Sequence, residues 1–252
     1  MGNRTITRQS EEPATPSRRG RVVRTVRVVG WTSIGVGLFL LGFVAHQLFV
    51  TTWFAQQAND GLLVEATERF DTVQVTEVPY EDPTIDTVPG PERDPYDIVP
   101  TILVEPEPEP GEAFAIIRIP KIERLADGWT VVEGVSRRTL RAGAGHMPST
   151  PLPGQPGNAV VSGHRTTYGA PFHELDTLAV GDLIEVETAI GVHVYAVTGT
   201  EIVSPRDLWV TQYRGPATLT LTTCHPKFSA RQRLVVFADL IEGPNAAAIL
   251  DS

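Results

Sequence analysis

Only one cysteine and two lysines occur in the 252 residues. A single cysteine excludes an intramolecular disulfide framework, so any folded part must be held by its core. A third scarcity is local: from Val28 to Asn59 there is no Asp, Glu, Lys or Arg. Helix signals are sparse in the C-terminal half, and no internal repeat is evident. A basic patch is also missing after the N-terminal segment, which argues against nucleic acid as a partner.

The charge-free stretch contains Val29–Val50, 22 mostly apolar residues. As a helix it would be roughly 33 Å long, enough for a bilayer core of about 30 Å. Trp31 and Trp53 flank it, where interfacial aromatics are favoured. Seven arginines and only two acids lie before it, so the positive-inside rule keeps that end cytoplasmic and puts the rest outside. The run is too long for a signal-peptide core, and no small-x-small cleavage site follows it.

Charge then divides the chain. Residues 1–59 carry a net +5, residues 60–112 a net −13 with nine prolines, and residues 113–252 a net −1. Like charges and proline keep such a middle segment extended, as a stalk that lifts the last part off the membrane. The expected organisation is a basic cytoplasmic segment 1–28, a transmembrane helix 29–50, and an acidic Pro-rich extracellular linker 51–112. A folded domain 113–243 and a tail 244–252 complete it.

The folded part reads as all-β. Phe114–Ile119, Asn158–Ser162, Leu183–Glu187, His193–Thr198, Thr218–Thr223 and Arg233–Leu240 are short runs rich in β-branched and apolar residues. Thr130–Val135 and Glu201–Val203 are weaker candidates, and Pro171–Leu178 is a candidate short helix. Many short strands separated by Gly, Pro and Asp favour a closed barrel or a sandwich.

The lone thiol, Cys224, ends the alternating string Leu219-Thr220-Leu221-Thr222-Thr223 and is followed by His225-Pro226. A strand end is accessible, and a free thiol outside the cell is a liability unless used. We read Cys224 as a nucleophile; a buried, inert thiol is the alternative that the string alone leaves open. Among six histidines, His46 lies in the apolar segment and His225 points to the opposite face from Cys224. His173 and His193 read as ordinary surface or core residues. His164 follows the strand Val160-Val161-Ser162 and Gly163, which places an imidazole at another strand end; His146 is the runner-up. Arg231 and Arg233 open the next strand, where a guanidinium beside the thiol would favour the thiolate or hold an oxyanion.

Taken in order, Ser162-Gly163-His164-Arg165, Leu219–Cys224 and Arg233-Leu234-Val235-Val236 resemble the sortases, over roughly Ala115 to Leu240. Thr-Leu-Thr-Thr-Cys-His-Pro with Ser229–Leu234 looks most like the class E enzymes of high-GC Gram-positive bacteria, and nineteen arginines against two lysines fit such a genome. The resemblance implies a closed eight-stranded barrel with one or two short helices. It implies a membrane-bound cysteine transpeptidase that cuts an LPxTG- or LAxTG-like sorting signal between Thr and Gly. Cys224 would form the thioacyl intermediate, His164 would move the protons, and Arg233 would bind the oxyanion. The partners implied are surface proteins bearing the signal and an amine from peptidoglycan precursor or a pilin. No metal or organic cofactor is needed. Asp94-Pro95-Tyr96 resembles the lid of pilin-building sortases, making Asp94 and Tyr96 candidate lid residues and a pilin-polymerising enzyme the alternative function. Another exported cysteine peptidase acting on peptidoglycan is a further alternative, but such enzymes place Cys before His and at a helix start.

Overall fold

A computed structural model describes residues 18–46, 51–80 and 99–251. It forms two units, residues 1–46 and 47–252, which are described separately.

In the first unit, α1 (Arg18–Ala45) is a single helix of 28 residues. Its stretch Arg21–Ala45 is long and apolar enough to cross a membrane. Large apolar side chains are exposed all round it, from Val22 and Val23 to Phe43 and Val44. A helix apolar on every side buries in lipid or a large core, unlike the one-sided stripe of a surface helix. The helix starts eleven residues before the expected boundary at 28/29, because changing from arginine to valine alters the solvent preference and not the backbone.

The second unit is built around a closed barrel of eight strands: β3 (Ala113–Arg118), β4 (Trp129–Glu133), β5 (Ala144–His146), β6 (Gly157–Ser162), β7 (Leu183–Thr188), β8 (Gly191–Val203), β9 (Ala217–His225) and β10 (Gln232–Glu242). The order around the barrel is β10-β8-β7-β3-β4-β5-β6-β9. The β4–β5 and β6–β9 pairs are parallel and the others antiparallel. Leu219 and Leu221 of β9 and Leu234, Val236 and Ala238 of β10 point inward to a core with Phe114, Val161 and Tyr195. Fully burying each such aliphatic side chain is worth about 1.5–3 kcal/mol. On the outer face, Val235 and Phe237 are also covered, by Val203 and by Val210 from a 3-10 turn at Leu208–Thr211. β10 therefore reads as a near-continuous apolar run, whereas β9 alternates.

Two departures from the expected strands have local causes. β5 is only Ala-Gly-His and lacks β-branched residues, so its composition gives no strand signal. A β-carbon at Gly145 would lie 2.4 Å from the Gly134 carbonyl oxygen, which is why the tight β4–β5 approach takes glycine. The expected runs 193–198 and 201–203 are one 13-residue strand, β8. Within Pro171–Leu178 only Leu175–Thr177 is helical, as a 3-10 turn.

The expected linker 51–112 needs correction. Thr51–Thr72 forms a helix, α2, which packs on the outer face of β3 and β4. Ala55, Asn59, Ala66 and Arg69 form its buried stripe, joined by the half-buried Leu62, Leu63 and Phe70. Asn59 accepts a hydrogen bond from the Thr130 amide at 2.8 Å. Arg69 lies in ion pairs with Glu105 and Glu112, each at 2.9 Å. Two of the linker's acids are thus structural ligands for one arginine. Further on, β1 (Thr76–Pro79) and β2 (Thr101–Val104) pair antiparallel outside the barrel. The expected tail 244–252 also folds, as a short helix α5 (Ala246–Leu250) that buries Ala246 and Ile249. Before it, Asn245 binds the amide and carbonyl of Leu103.

Candidate active site

The site follows from the registers of three neighbouring strands. In the parallel β6–β9 pair, Ser162 lies opposite Thr222, and their hydroxyl oxygens are 2.8 Å apart. Side chains repeat every second residue, so His164 and Cys224 project from the same outer face. The Gly163 amide extends the ladder by donating to the Thr222 carbonyl at 3.0 Å. The Thr223 hydroxyl ties back to the Gly163 carbonyl at 2.8 Å. On the other side of β9, Arg233 of β10 is the direct cross-strand partner of Cys224. Directly paired residues share a face. Histidine, cysteine and arginine therefore line up along the barrel wall, cysteine and arginine on paired strands about 4.8 Å apart and histidine two residues past the end of β6.

Cys224, His164 and Arg233 are all half-buried. The Arg233 guanidinium donates through Nη1 to the carbonyls of Ala230 and Gln232, at 3.1 and 3.0 Å. Those bonds use only part of its five-donor fork. The His164 ring lies against Tyr168, with centroids 5.1 Å apart. Burial, and then the positive charge of Arg141, pull its pKa below the usual histidine value. At neutral pH the imidazole is therefore held in its neutral form. Arg141 belongs to α4 (Thr139–Ala142), and its guanidinium sits 5.3 Å from the Tyr168 ring centre.

The backbone after His164 is fixed by close packing. A β-carbon at Gly163 would come within 2.5 Å of the buried Phe172 ring, so only glycine lets the strand pass. The Phe172 amide donates to the His164 carbonyl at 3.1 Å. Beneath the thiol lies Arg165, which is 2% exposed. Its Nη1 donates to the Cys224 carbonyl at 3.3 Å and to His225 Nδ1 at 3.0 Å. Its Nη2 pairs with Asp176 at 3.0 Å. As an acceptor at Nδ1, a neutral His225 carries its proton on Nε2. His173 Nδ1 in turn donates to the Arg165 carbonyl at 2.7 Å. Sequence reasoning passed over Arg165 and Asp176, because a strand pattern does not reveal which charge folds back under it.

His146, the runner-up, is not in this row. It is 1% exposed on β5, with Nδ1 2.7 Å from Glu133 and Nε2 3.0 Å from the Pro151 carbonyl. Both ring nitrogens are engaged, Nδ1 with β4 and Nε2 with the 147–151 loop. A cavity of about 630 Å³ lined by Gly111, Glu133, Gly134, Ser136 and Thr139 contains none of the three row residues. Asp94 and Tyr96, the candidate lid, lie outside the described residues. Among the described residues no group of three or more His, Cys, Asp or Glu side chains has the arrangement to hold a metal ion.

A closed eight-stranded barrel with thiol, imidazole and guanidinium side by side at strand ends defines a thiol-dependent acyl-transfer class of site. A family profile described as "Sortase domain" matches residues 117–241. The chain belongs to the sortase family, whose members are cysteine transpeptidases, and its likeness is to the E-like sortases. Sortase SrtE1 of Streptomyces coelicolor is 27% identical over 250 residues, 93% of this chain. The match spans 62% of that protein's length, less than two thirds of this relative. SrtF of Corynebacterium diphtheriae is 32% identical over 54% of this chain and 88% of its own, with a TM-score of 0.51. A Clostridium perfringens sortase D5 transpeptidase is 25% identical over 74% of this chain and 99% of its own, with a TM-score of 0.54.

Proposed function

We propose that the chain is a sortase transpeptidase acting outside the cell from a single N-terminal membrane anchor, with Cys224, His164 and Arg233 as its catalytic set. The reading is supported by one observation: Arg233 pairs directly with Cys224 across β9–β10, and the β6–β9 register runs to Ser162 opposite Thr222, two residues before His164 and Cys224. The thiolate sulfur of Cys224 attacks the carbonyl carbon of Thr in an LPxTG- or LAxTG-like signal. The Thr–Gly C–N bond breaks, and His164 supplies the proton that the leaving glycine amine takes. An incoming amine then loses a proton to His164, attacks the thioester, and releases the thiol. Arg233 turns its free guanidinium donors toward the carbonyl oxygen as it becomes anionic. Because burial depresses the His164 pKa, the imidazolium is the minority form of that side chain at neutral pH.

The test is incubation of the full-length protein with LPxTG and LAxTG peptides, with and without amine acceptors, followed by intact mass. An acyl adduct on the wild-type chain, absent from Cys224→Ala, and a product joined to the acceptor are expected. Failure to form either with both peptides refutes the reading. A diglycine or peptidoglycan-type amine set against a pilin-lysine peptide separates wall anchoring from pilin polymerisation.

A further inference from the structure

α2 runs along the barrel from the catalytic loop to the start of β3. Near its beginning, Ala55 lies beside the loop that follows His164: a β-carbon at Gly169 would come within 3.3 Å of the Ala55 methyl. Fourteen residues later, about 21 Å along the helix, Arg69 holds Glu105 and Glu112. The helix is therefore clamped along its length rather than tethered at one point. Its first turn also carries two largely exposed aromatic side chains. Trp53 and Phe54 are each 58% exposed, with rings edge to face at 4.9 Å. Two exposed arginines sit on the same loop: Arg124 donates to the Gly169 carbonyl, and Arg141 stacks over Tyr168.

In the sequence, Trp53 and Phe54 follow closely on the apolar run 29–50. The charge-free stretch of sequence runs on to Asn59, past both aromatics. Trp and Phe next to the end of an apolar helix suit the headgroup boundary, and arginines beside them suit anionic lipid.

We propose that the edge formed by Trp53 and Phe54, flanked by Arg124 and Arg141, is a lipid-binding surface that seats the barrel on an anionic bilayer. This rests on the reading of Arg21–Ala45 as a membrane anchor. It places the loop carrying His164 at the membrane-proximal end of the domain. Peptide and amine then meet the thiol at the bilayer surface, and α2 acts as a strut that keeps the site low, the reverse of a stalk that lifts it.

The experiment uses the full chain with Cys224→Ala, reconstituted in phosphatidylcholine–phosphatidylglycerol vesicles containing spin-labelled lipid. A fluorophore is attached to one introduced cysteine at a time: Phe39→Cys in α1, Gln57→Cys one helical turn from Trp53, or Val180→Cys on a distant loop. Quenching at position 57 should approach that at 39 and exceed that at 180 by about three-fold or more, as for groups at headgroup depth. Adding Trp53→Ser and Phe54→Ser should return position 57 to the level of position 180. In pure phosphatidylcholine the signal at 57 should fall; equal quenching in both lipids overturns the role of the arginines. Quenching at 39 with 57 equal to 180 overturns the surface and leaves the anchor standing. No quenching at 39 overturns both, and equal quenching at all three overturns a specific edge.

Discussion

Arg165→Met separates folding from positioning at the thiol. The arginine is buried, and its fork reaches the Cys224 carbonyl, His225 and Asp176. Methionine fills much of the volume and donates nothing. Two acceptors, the Cys224 carbonyl and His225 Nδ1, then lose their donor, at about 1–3 kcal/mol each if no water replaces it. Against this, a buried cation whose Nε has no partner is removed, and its desolvation had cost several kcal/mol. Asp176 is 42% exposed and rehydrates, so it contributes little to the balance. The net loss should stay within about 3 kcal/mol, a fall in Tm of no more than about 12 °C for a chain of this size.

Catalysis should suffer more than stability. The Cys224 carbonyl is the point at which the thiol's backbone is held from below. A displacement of about 1 Å at a reacting group costs about 100-fold, or roughly 2.7 kcal/mol of barrier. Arg165→Met should lower kcat/KM by about that factor, chiefly through kcat, because the buried side chain does not face the peptide. Arg165→Lys keeps the charge but cannot span three partners, so it should recover stability more fully than kcat. The assay is steady-state transpeptidation with a fluorogenic sorting peptide, beside thermal unfolding of the same preparations. A folded Arg165→Met enzyme with kcat/KM within about two-fold of wild type would refute the reasoning.

Three other outcomes follow from the same structure. Cys224→Ala should abolish acyl-enzyme, while His164→Ala and Arg233→Ala should stay folded and lose about 100-fold or more in turnover; near-normal transpeptidation by His164→Ala would remove that residue from the mechanism. Arg69→Met should destabilise by about 3–5 kcal/mol, because it strands the fully buried Glu105 carboxyl; Arg69→Met/Glu105→Leu should regain much of it, and equal denaturation midpoints for single variant and wild type would show that α2 is not clamped. His193 is buried and its pKa is lowered to about 4 by burial, against 6.5 when free. Between those values the unfolded chain binds the extra proton, so stability should fall by up to roughly 3 kcal/mol as pH drops from about 6.5 to about 4. His193→Asn should flatten that part of a pH-dependent denaturation series, and an unchanged slope would assign the acid sensitivity to other groups.

The barrel and its row of three were readable because both are written in short-range code. Thr-Leu-Thr alternation in β9 and the Val-Val-Ser run in β6 show strands, and the candidate residues lie at or just past their ends. Cross-strand neighbours of a hairpin such as β9–β10 follow from the short loop alone. The parallel β6–β9 pairing does not, because 54 residues and two strands separate those strands in the chain. That pairing became legible only through the resemblance of the ordered motifs. Arg165 shows the limit from another side: its role depends on folding back under β9, which no periodicity encodes.

The misread linker exposes a weakness in counting charge over a window. Residues 60–112 average to strong acidity, yet Glu105 and Glu112 meet Arg69 at 2.9 Å. α2 also straddles the boundary at which the tally was cut, so neither half showed a full helical stripe. Its buried face hides further, since Asn59 and Arg69 occupy positions where a hydrophobic pattern expects aliphatics. Both polar groups are buried because each has partners, Asn59 on Thr130 and Arg69 on two carboxylates. A stripe mixing small, apolar and paired polar residues is invisible to hydropathy but costs the fold little once every group is matched. The helix at 51–72, which reads as part of a spacer, is therefore a packed element of the domain, tied to it by Asn59 and by the Arg69 cluster.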